Sequence, residues 1–177
     1  LNDDIIPGYR ALADAVHQEG GRILAQLAHS GGTVLISQPG RESWSASTVR
    51  SETTGNISHE MTLGEIQEVI DAHVCAARRV AAGGMDGVEI LGAFGFLPQA
   101  FLSPLTNRRS DHYGGALENR MRFLMELLES VKGALGPDFV LGVRLPGDEF
   151  EPGGLDLAQM KEICSRVSAS GLVDYFN

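Results

Sequence analysis

The residues Gly83-Gly84-Met85-Asp86-Gly87-Val88-Glu89-Ile90-Leu91 decide the fold class. A capping box at Thr62 and Glu65 starts a helical pattern that runs to about residue 82. The glycine pair ends that helix, and residues 87–91 form a short apolar run of the kind found in buried parallel strands. This stretch therefore predicts a helix followed directly by a buried strand.

The same helix-to-strand step recurs along the chain, so the predicted order is α-β-α-β-α-β-α-β. Such alternation indicates right-handed crossovers and a parallel sheet covered by helices, and it is compatible with a doubly wound sheet or a closed (β/α)₈ barrel. Apolar patterns predict helices at residues 5–19, 62–82, 116–135 and 157–168, and strands at residues 22–28, 87–91, 139–145 and 172–176.

The connections that follow strands are long, whereas those that follow helices are only a few residues. The long connections are residues 29–61, 92–115 and 146–156, the second with a helical turn at residues 97–102. In barrel enzymes, the active site is built from the loops that follow the strands. We therefore expect the functional site at that end of the sheet.

Composition excludes several function classes. The net charge of −9 and the absence of a basic run argue against a nucleic-acid partner. No apolar run reaches the roughly 20 residues of a membrane span, and the acidic start lacks a signal peptide's basic region, so a cytoplasmic protein is expected. Cys75 and Cys164 have no metal-ligand spacing, which favours buried structural thiols and no metal site.

Several blocks of sequence carry a resemblance to a known family. The blocks are Gln-Leu-Ala-His-Ser-Gly-Gly at residues 26–32, residues 86–97, 101–111 and 113–120, and Gly-Val-Arg-Leu at residues 142–145. Together they resemble the Old Yellow Enzyme family of NADH:flavin oxidoreductases. The resemblance implies an FMN-binding (β/α)₈ TIM barrel, and 177 residues are fewer than the roughly 250 of such a barrel. We therefore expect residues 1–177 to form a partial domain, about the central half, with about two further strands on either side.

By this resemblance, Gln26 and Arg144 would bind the flavin. The amide of Gln26 would hydrogen-bond the pyrimidine ring, and the Arg144 charge would face flavin N1 and O2. From the residues alone, Gln26 could be a surface glutamine, and Arg144 could form a salt bridge with a carboxylate of the sheet. For Glu89, a structural ion pair is expected, because a buried charge needs a partner.

This chain differs from the resembled family at the positions that contact the substrate. Where ene-reductases of the family have a carbonyl-binding histidine, a histidine or asparagine, and a proton-donating tyrosine, this chain has Leu91, Phe94 and Phe96. Gly32 also replaces an arginine of the family pattern. These residues predict an apolar substrate pocket, or simply core packing, and no catalytic residue is assigned.

The expected function is transfer of hydride from NADH or NADPH, through FMN, to an unsaturated organic small molecule. The alternatives are an amine dehydrogenase or demethylase, and a catalytically degenerate flavin-binding or scaffold barrel. A homo-oligomer is possible, and His29 is expected to be structural. The polar groups of residues 107–111 and 118–120 are expected to fix the long loop to the next helix.

Overall fold

The computed structural model describes residues 2–33, 43–50, 55 and 57–177. Short 3₁₀ turns occupy Asp3–Ile5 and Gly31–Thr33. The helices are α1 (Ile6–Gln18), α2 (Leu63–Ala82), α3 (Leu97–Leu102), α4 (Leu117–Leu135) and α5 (Leu157–Ala169). The strands are β1 (Leu24–Leu27), β2 (Trp44–Ser45), β3 (His59–Glu60), β4 (Gly87–Leu91), β5 (Val140–Arg144) and β6 (Tyr175–Phe176).

The main sheet has four parallel strands in the order β1-β4-β5-β6. Each strand lies beside the next strand of the main sheet along the chain, with helix α2, α4 or α5 between them. A doubly wound sheet reverses its strand order at a switch point, whereas a barrel continues in one direction. The order within the described residues therefore favours part of a barrel, and it confirms the predicted parallel α/β class.

Local capping explains where two of the outer helices begin. The Glu65 amide donates to Thr62 Oγ1 at 3.2 Å, and the Thr62 amide donates to Glu65 Oε2 at 2.7 Å. This is the predicted capping box, and it satisfies amides that a helix N-terminus leaves free. Asp156 caps α5 in the same way, accepting from the Gln159 amide at 2.8 Å.

The apolar core lies between the sheet and the helices. Val88 and Ile90 of β4 and Val143 of β5 are completely buried on the helix side of the sheet. The apolar stripe of α4 belongs to the same core and has no exposed surface at Leu124, Leu127, Leu128 and Val131. Alternation along each strand places Glu89 and Leu91 on the opposite face, toward the barrel interior.

The long connection after β1 holds two short strands that were not predicted. β2 and β3 pair in parallel, Trp44 with His59 and Ser45 with Glu60. The predicted strands 22–28 and 172–176 are shorter in the structure, whereas β4 has its predicted bounds. The predicted loop also includes residues 34–42, 51–54 and 56, which lie outside the described residues.

The prediction that both cysteines are buried is wrong for Cys75, which is exposed. Cys164 is partly buried, and burial raises the pKa of its thiol. Cys75 lies in α2 but outside the buried stripe of that helix, so the helical pattern was right and the face assigned to this residue was not. The stripe is Ile66, Val69, Ile70, His73, Ala77 and Val80.

None of the helices in the described part of the chain combines the length and apolarity needed to span a membrane.

Candidate functional site

A row of side chains crosses the interior face of the main sheet. The strand register pairs Gln26 with Glu89, Glu89 with Gly142, and Gly142 with Tyr175. Residues paired across parallel strands lie on the same face of the sheet, so these four form one layer. We call this layer the Glu89 row.

Glu89 is the acceptor at the centre of the row, and only 7% of its surface is exposed. Gln26 Nε2 donates to its Oε1 at 2.6 Å, and the Tyr175 hydroxyl donates to its Oε2 at 3.0 Å. Asn177 Nδ2 lies 3.0 Å from Oε2 and 3.3 Å from Oε1. The expected ion pair is therefore wrong, because neutral donors satisfy this carboxylate.

These contacts shift the pKa values of Glu89 and Tyr175. Burial acts to raise the pKa of Glu89, but the hydrogen bonds from Gln26, Asn177 and Tyr175, with the charge of Arg144, bring it below its usual range. Burial, the hydrogen bond to Glu89 and the negative charge of Glu89 raise the pKa of Tyr175 to about 12. At neutral pH, Glu89 is therefore an anion that only accepts, and Tyr175 is a neutral donor.

Gly142 makes room for the Tyr175 ring. A Cβ atom built at position 142 would lie 2.1 Å from Tyr175 Cζ, far inside contact distance. Only glycine at this position lets the ring reach across β5 to the Glu89 carboxylate. This contact could not be predicted from the sequence, because a glycine in a strand also occurs at bulges and bends.

Arg144 lies at the carboxyl end of β5, opposite Leu91 at the end of β4. The Arg144 guanidinium carbon lies 4.7 Å from the centre of the Phe94 ring, a cation–π contact. Among the described residues, no carboxylate lies within salt-bridge distance of Arg144. The alternative that Arg144 is fixed by a neighbouring carboxylate therefore finds no support in this part of the chain.

Phe94 is held on a tight turn directly after β4. Its φ of 60° and that of Gly95, 75°, both lie in the left-handed region, which a phenylalanine rarely adopts. The Gly95 amide donates to Gln99 Oε1 at 2.8 Å, which fixes the turn to α3. The turn leaves 64% of the Phe94 surface exposed, so this ring is not core packing.

Hydrogen bonds of Glu149 fix the loop after β5 to the same helix, α3. Glu149 Oε1 accepts from Gln99 Nε2 at 2.7 Å. Glu149 Oε2 accepts from Ser103 Oγ and from the Leu155 amide, each at 2.7 Å. Sequence reasoning missed Glu149 because nothing near it in the chain marks the partners that lie some fifty residues away.

Between these two loops is a cleft of about 570 Å³. Phe94 and Arg144 line it, whereas Leu91 and Phe96 are not among its lining residues. Leu91 is buried at the strand end, and Phe96 is half-buried immediately before α3. The structure thus brings Phe94 to Arg144 and places Phe96 apart. The other lining residues are Ala93, Gly95, Gln99, Ser103, Leu105, Thr106, Leu145, Pro146, Gly147, Asp148, Glu149 and Glu151.

The chemistry of Gln26 and Arg144 fits the pyrimidine edge of a flavin. Because Glu89 only accepts, Nε2 must be the amide atom that faces it, and Oε1 and one N–H remain for a ligand. Gln26 is exposed and lies at the same end of the sheet as Arg144, because the strands are parallel. This acceptor and donor match an imide N–H and its carbonyl oxygens, and the guanidinium, which has no salt-bridge partner among the described residues, matches the N1 position.

Of the groups predicted to fix the long loop, Asn107, Arg109 and Arg120 do so, whereas the Arg108 side chain is exposed. Asn107 Nδ2 donates to the Phe101 and Tyr113 carbonyls at 2.6 Å and 2.7 Å. Arg109 Nη1 donates to the Ala46 and Met61 carbonyls at 3.0 Å and 2.7 Å. These bonds confirm a structural role, and Arg109 joins the long loop to the segments of β2 and β3. Arg120 similarly donates to the carbonyls of Leu102 and Gly115.

Within the described part of the chain, no acidic or nucleophilic side chain is bonded to His29, for which a structural role was predicted. Its Nδ1 accepts from the Gly31 amide at 3.1 Å. Burial, with the nearby His73, lowers the pKa of His29 to about 4. No grouping of metal-binding side chains occurs among the residues that the structure describes.

Comparison with known proteins identifies relatives of this arrangement. Residues 1–171 match the NADH:flavin oxidoreductase / NADH oxidase family. The chain is 42% identical to N,N-dimethylglycine/sarcosine dehydrogenase of Chromohalobacter salexigens, over 98% of this chain and 25% of the relative. It is 40% identical to a metal reductase of Desulforamulus reducens, over 97% of this chain and 26% of the relative.

Solved structures with this fold include a 2-naphthoyl-CoA reductase in complex with 2-naphthoyl-CoA, at a TM-score of 0.91 and 32% identity. Histamine dehydrogenase from Rhizobium sp. 4-9 has a TM-score of 0.90 and 30% identity. Each match covers 99% of this chain, but only 29% and 26% of the respective structures. The chain thus spans about a quarter of the length of these relatives, and its sheet is part of their barrel.

Proposed function

The chain belongs to the NADH:flavin oxidoreductase / NADH oxidase family, and on this premise we propose that it carries the pyrimidine-binding half of an FMN site. The protein would transfer hydride from NADH or NADPH to an unsaturated organic acceptor. The observation that carries this proposal is the Arg144 guanidinium, which has no carboxylate partner among the described residues and lies at the same sheet end as Gln26.

Each of the two residues has a definite role. Gln26 would accept from the flavin imide and donate to a neighbouring carbonyl, which orients the ring. Arg144 would place a fixed positive charge beside N1 and O2, where it favours the form of the cofactor that carries negative charge. When bound, FMN supplies the hydride chemistry itself, while the protein supplies binding, orientation and charge.

The proposed acceptor is flat and largely apolar. Phe94 presents an exposed ring beside Arg144, and Leu91 closes the strand end behind it. Neither side chain can hold a substrate carbonyl oxygen or donate a proton. The likeness to a 2-naphthoyl-CoA reductase supports an acceptor with an extended conjugated system.

Amine oxidation is the second candidate, and a specific observation favours it. Removing hydride from the carbon beside an amine needs no proton donor, and Leu91, Phe94 and Phe96 supply none. The 42% identity to a dimethylglycine/sarcosine dehydrogenase points in the same direction. In this reaction the flavin would receive hydride from the amine instead of from a nicotinamide.

Anaerobic visible spectra of the native flavin-loaded protein distinguish the two candidates. We expect NADH or NADPH to bleach the flavin band and an acceptor with an extended conjugated system, such as 2-naphthoyl-CoA, to restore it with a proton taken from solvent. 2-Cyclohexen-1-one should restore it far more slowly, because its reduction depends on groups that hold the carbonyl oxygen and donate a proton. Bleaching by N,N-dimethylglycine, with no response to either nicotinamide, would establish amine oxidation instead. A folded native protein that takes up no FMN would contradict both.

A further inference from the structure

We propose that Glu89 is a positioning residue that fixes which end of the Gln26 amide faces the flavin. The inference rests on the proposed FMN site and deepens it. It assigns a role to a buried carboxylate that the reaction itself does not use. The distinguishing observation is the 2.6 Å contact between Gln26 Nε2 and Glu89 Oε1.

The orientation of a glutamine amide toward a ligand is ambiguous. A free glutamine can present either its oxygen or its nitrogen to a ligand, since a rotation of the amide exchanges them. The imide edge of a flavin has a hydrogen at N3 flanked by two carbonyl oxygens. Recognition of N3–H therefore requires the oxygen of Gln26 at one defined place.

Glu89 removes the ambiguity because it is an anion with no hydrogen to donate. The hydrogen bonds that it receives keep its pKa below the usual range, so it is ionised at neutral pH. A carboxylate next to Gln26 can be satisfied only by the NH₂ end, and rotation would place two oxygens against each other. Gln26 Oε1 must then face away from Glu89.

Tyr175 and Asn177 hold the carboxylate itself in place. Both donate to Oε2, at 3.0 Å each, while Gln26 takes Oε1. Tyr175 in turn occupies the space that Gly142 leaves open. The orientation of Gln26 on β1 is therefore set by packing on β6, three strands along the sheet, as well as by its immediate neighbour Glu89.

The test compares Glu89→Gln with Tyr175→Phe in the native protein. Glu89→Gln keeps size and shape but introduces an NH₂ group, so the Gln26 amide can rotate. Tyr175→Phe removes one hydrogen bond from the same carboxylate and leaves the Gln26 contact intact. Thermal unfolding of each variant separates loss of folding from loss of recognition.

The readout is affinity for FMN against affinity for N3-methyl-FMN, which lacks the N3 hydrogen. The expected wild-type preference for FMN is about tenfold, the worth of one good hydrogen bond, and Glu89→Gln should reduce it to about twofold or less. Tyr175→Phe should keep most of it. In a Gln26→Leu background, Glu89→Gln should change the preference no further.

Each failure has a separate meaning. If wild type binds FMN but Glu89→Gln keeps the full preference, Glu89 has only a structural role and the inference is overturned. If folded wild type binds no FMN, the proposed function falls and takes this inference with it. If Glu89→Gln does not fold, Glu89→Met replaces it. Methionine has a similar length but no oxygen to accept from the Gln26 amide, so the preference must fall, and a full preference would overturn the inference.

Discussion

Tyr175 lies across Gly142 to reach Glu89, and this contact connects three strands through one side chain. A methyl group at position 142 cannot occupy the same space as the Tyr175 ring, whose Cζ would lie 2.1 Å from it. Either β6 must shift or the ring must rotate away. Both movements break the hydrogen bond to Glu89.

We therefore expect Gly142→Ala to destabilise the protein by about 1–3 kcal/mol, the usual cost of overpacking. Urea unfolding measures the change. Gly133→Ala is the matched control, because no atom lies within 4 Å of its added Cβ and the residue is exposed in α4. That control should be neutral or more stable by up to about 1 kcal/mol.

Arg144→Gln should slow reduction of the bound flavin by NADH or NADPH by roughly 100-fold, because a preorganised charge beside the developing anion is lost. Anaerobic stopped-flow absorbance measures this rate. Arg22→Gln, which removes a guanidinium with 77% side-chain exposure, should leave the rate unchanged. A normal rate in Arg144→Gln would remove Arg144 from the flavin site.

Among individual residues, Gln26 and Arg144 could be identified from the sequence as candidate flavin-binding residues. The other side chains that donate to the neighbouring Glu89 carboxylate could not. Gln26 and Arg144 lie inside recognisable blocks, whereas the other partners of Glu89, Tyr175 and Asn177, lie on β6 and directly after it. Its expected ion pair was wrong because neutral donors from distant positions satisfy the charge equally well. Pairing across strands of this kind leaves no local pattern to recognise.

Helices α2 and α5 begin where their capping side chains, Thr62 and Asp156, accept a backbone amide. For α2, Thr62→Ala should lower the free energy of unfolding by about 1 kcal/mol, because the Glu65 amide loses its acceptor. Thr62→Ser keeps the hydroxyl and should retain most of that stability. Chemical denaturation of both variants checks this, and equal stability of Thr62→Ala and wild type would show that the cap contributes nothing.

Arg109 joins β2 and β3 to the loop before α4. Arg109→Leu leaves the buried carbonyls of Ala46 and Met61 without these donors, so the segments around them should open more often. Limited proteolysis should then cut within residues 43–61 several times faster than in wild type. The control is Arg108→Leu, since the Arg108 side chain is exposed; equal cutting of the two variants would contradict the role of Arg109.

Among the elements, those with a complete local pattern were predicted well. β4 and the turn of α3 have their predicted bounds, because Gly87 and Pro98 mark their starts. β2 and β3 were missed because each has two residues and is stabilised by Arg109, which is far away in sequence. Short strands of this kind depend on tertiary contacts that propensity does not encode.

For the whole molecule, the lowered pKa values of the partly buried His29 and the buried His73 predict that stability depends on pH. Burial lowers the pKa of His29 to about 4 and also lowers that of His73, relative to an unfolded value of 6.5. The unfolded chain therefore binds more protons between these values. Stability is complete above about pH 6.5 and falls as the pH drops toward 4, by at most about 1.4 kcal/mol per pH unit for each histidine.

Urea denaturation at several pH values measures this slope. His29→Gln should flatten the slope between pH 6.5 and 4, because one of the two titrating groups is gone. An unchanged slope in His29→Gln would show that His29 does not titrate on unfolding.

The carboxylates add a second loss at lower pH. Hydrogen bonds keep the pKa values of Asp86, Asp111 and Asp174 below 3.8 in the folded protein. Their stabilisation is complete above that unfolded value and disappears as the pH falls through the folded values.

For the whole molecule, the alternation of helices and strands along the chain was predicted from the apolar pattern. The choice of a barrel over a doubly wound sheet came from the blocks that resemble a known family.

A crystal structure of the native protein with FMN bound tests the central claim most directly. We expect Gln26 Oε1 to lie within hydrogen-bond distance of flavin N3. We also expect the Arg144 guanidinium to leave the Phe94 ring and contact N1 or O2. A flavin bound elsewhere, or one whose pyrimidine edge contacts neither side chain, would contradict it.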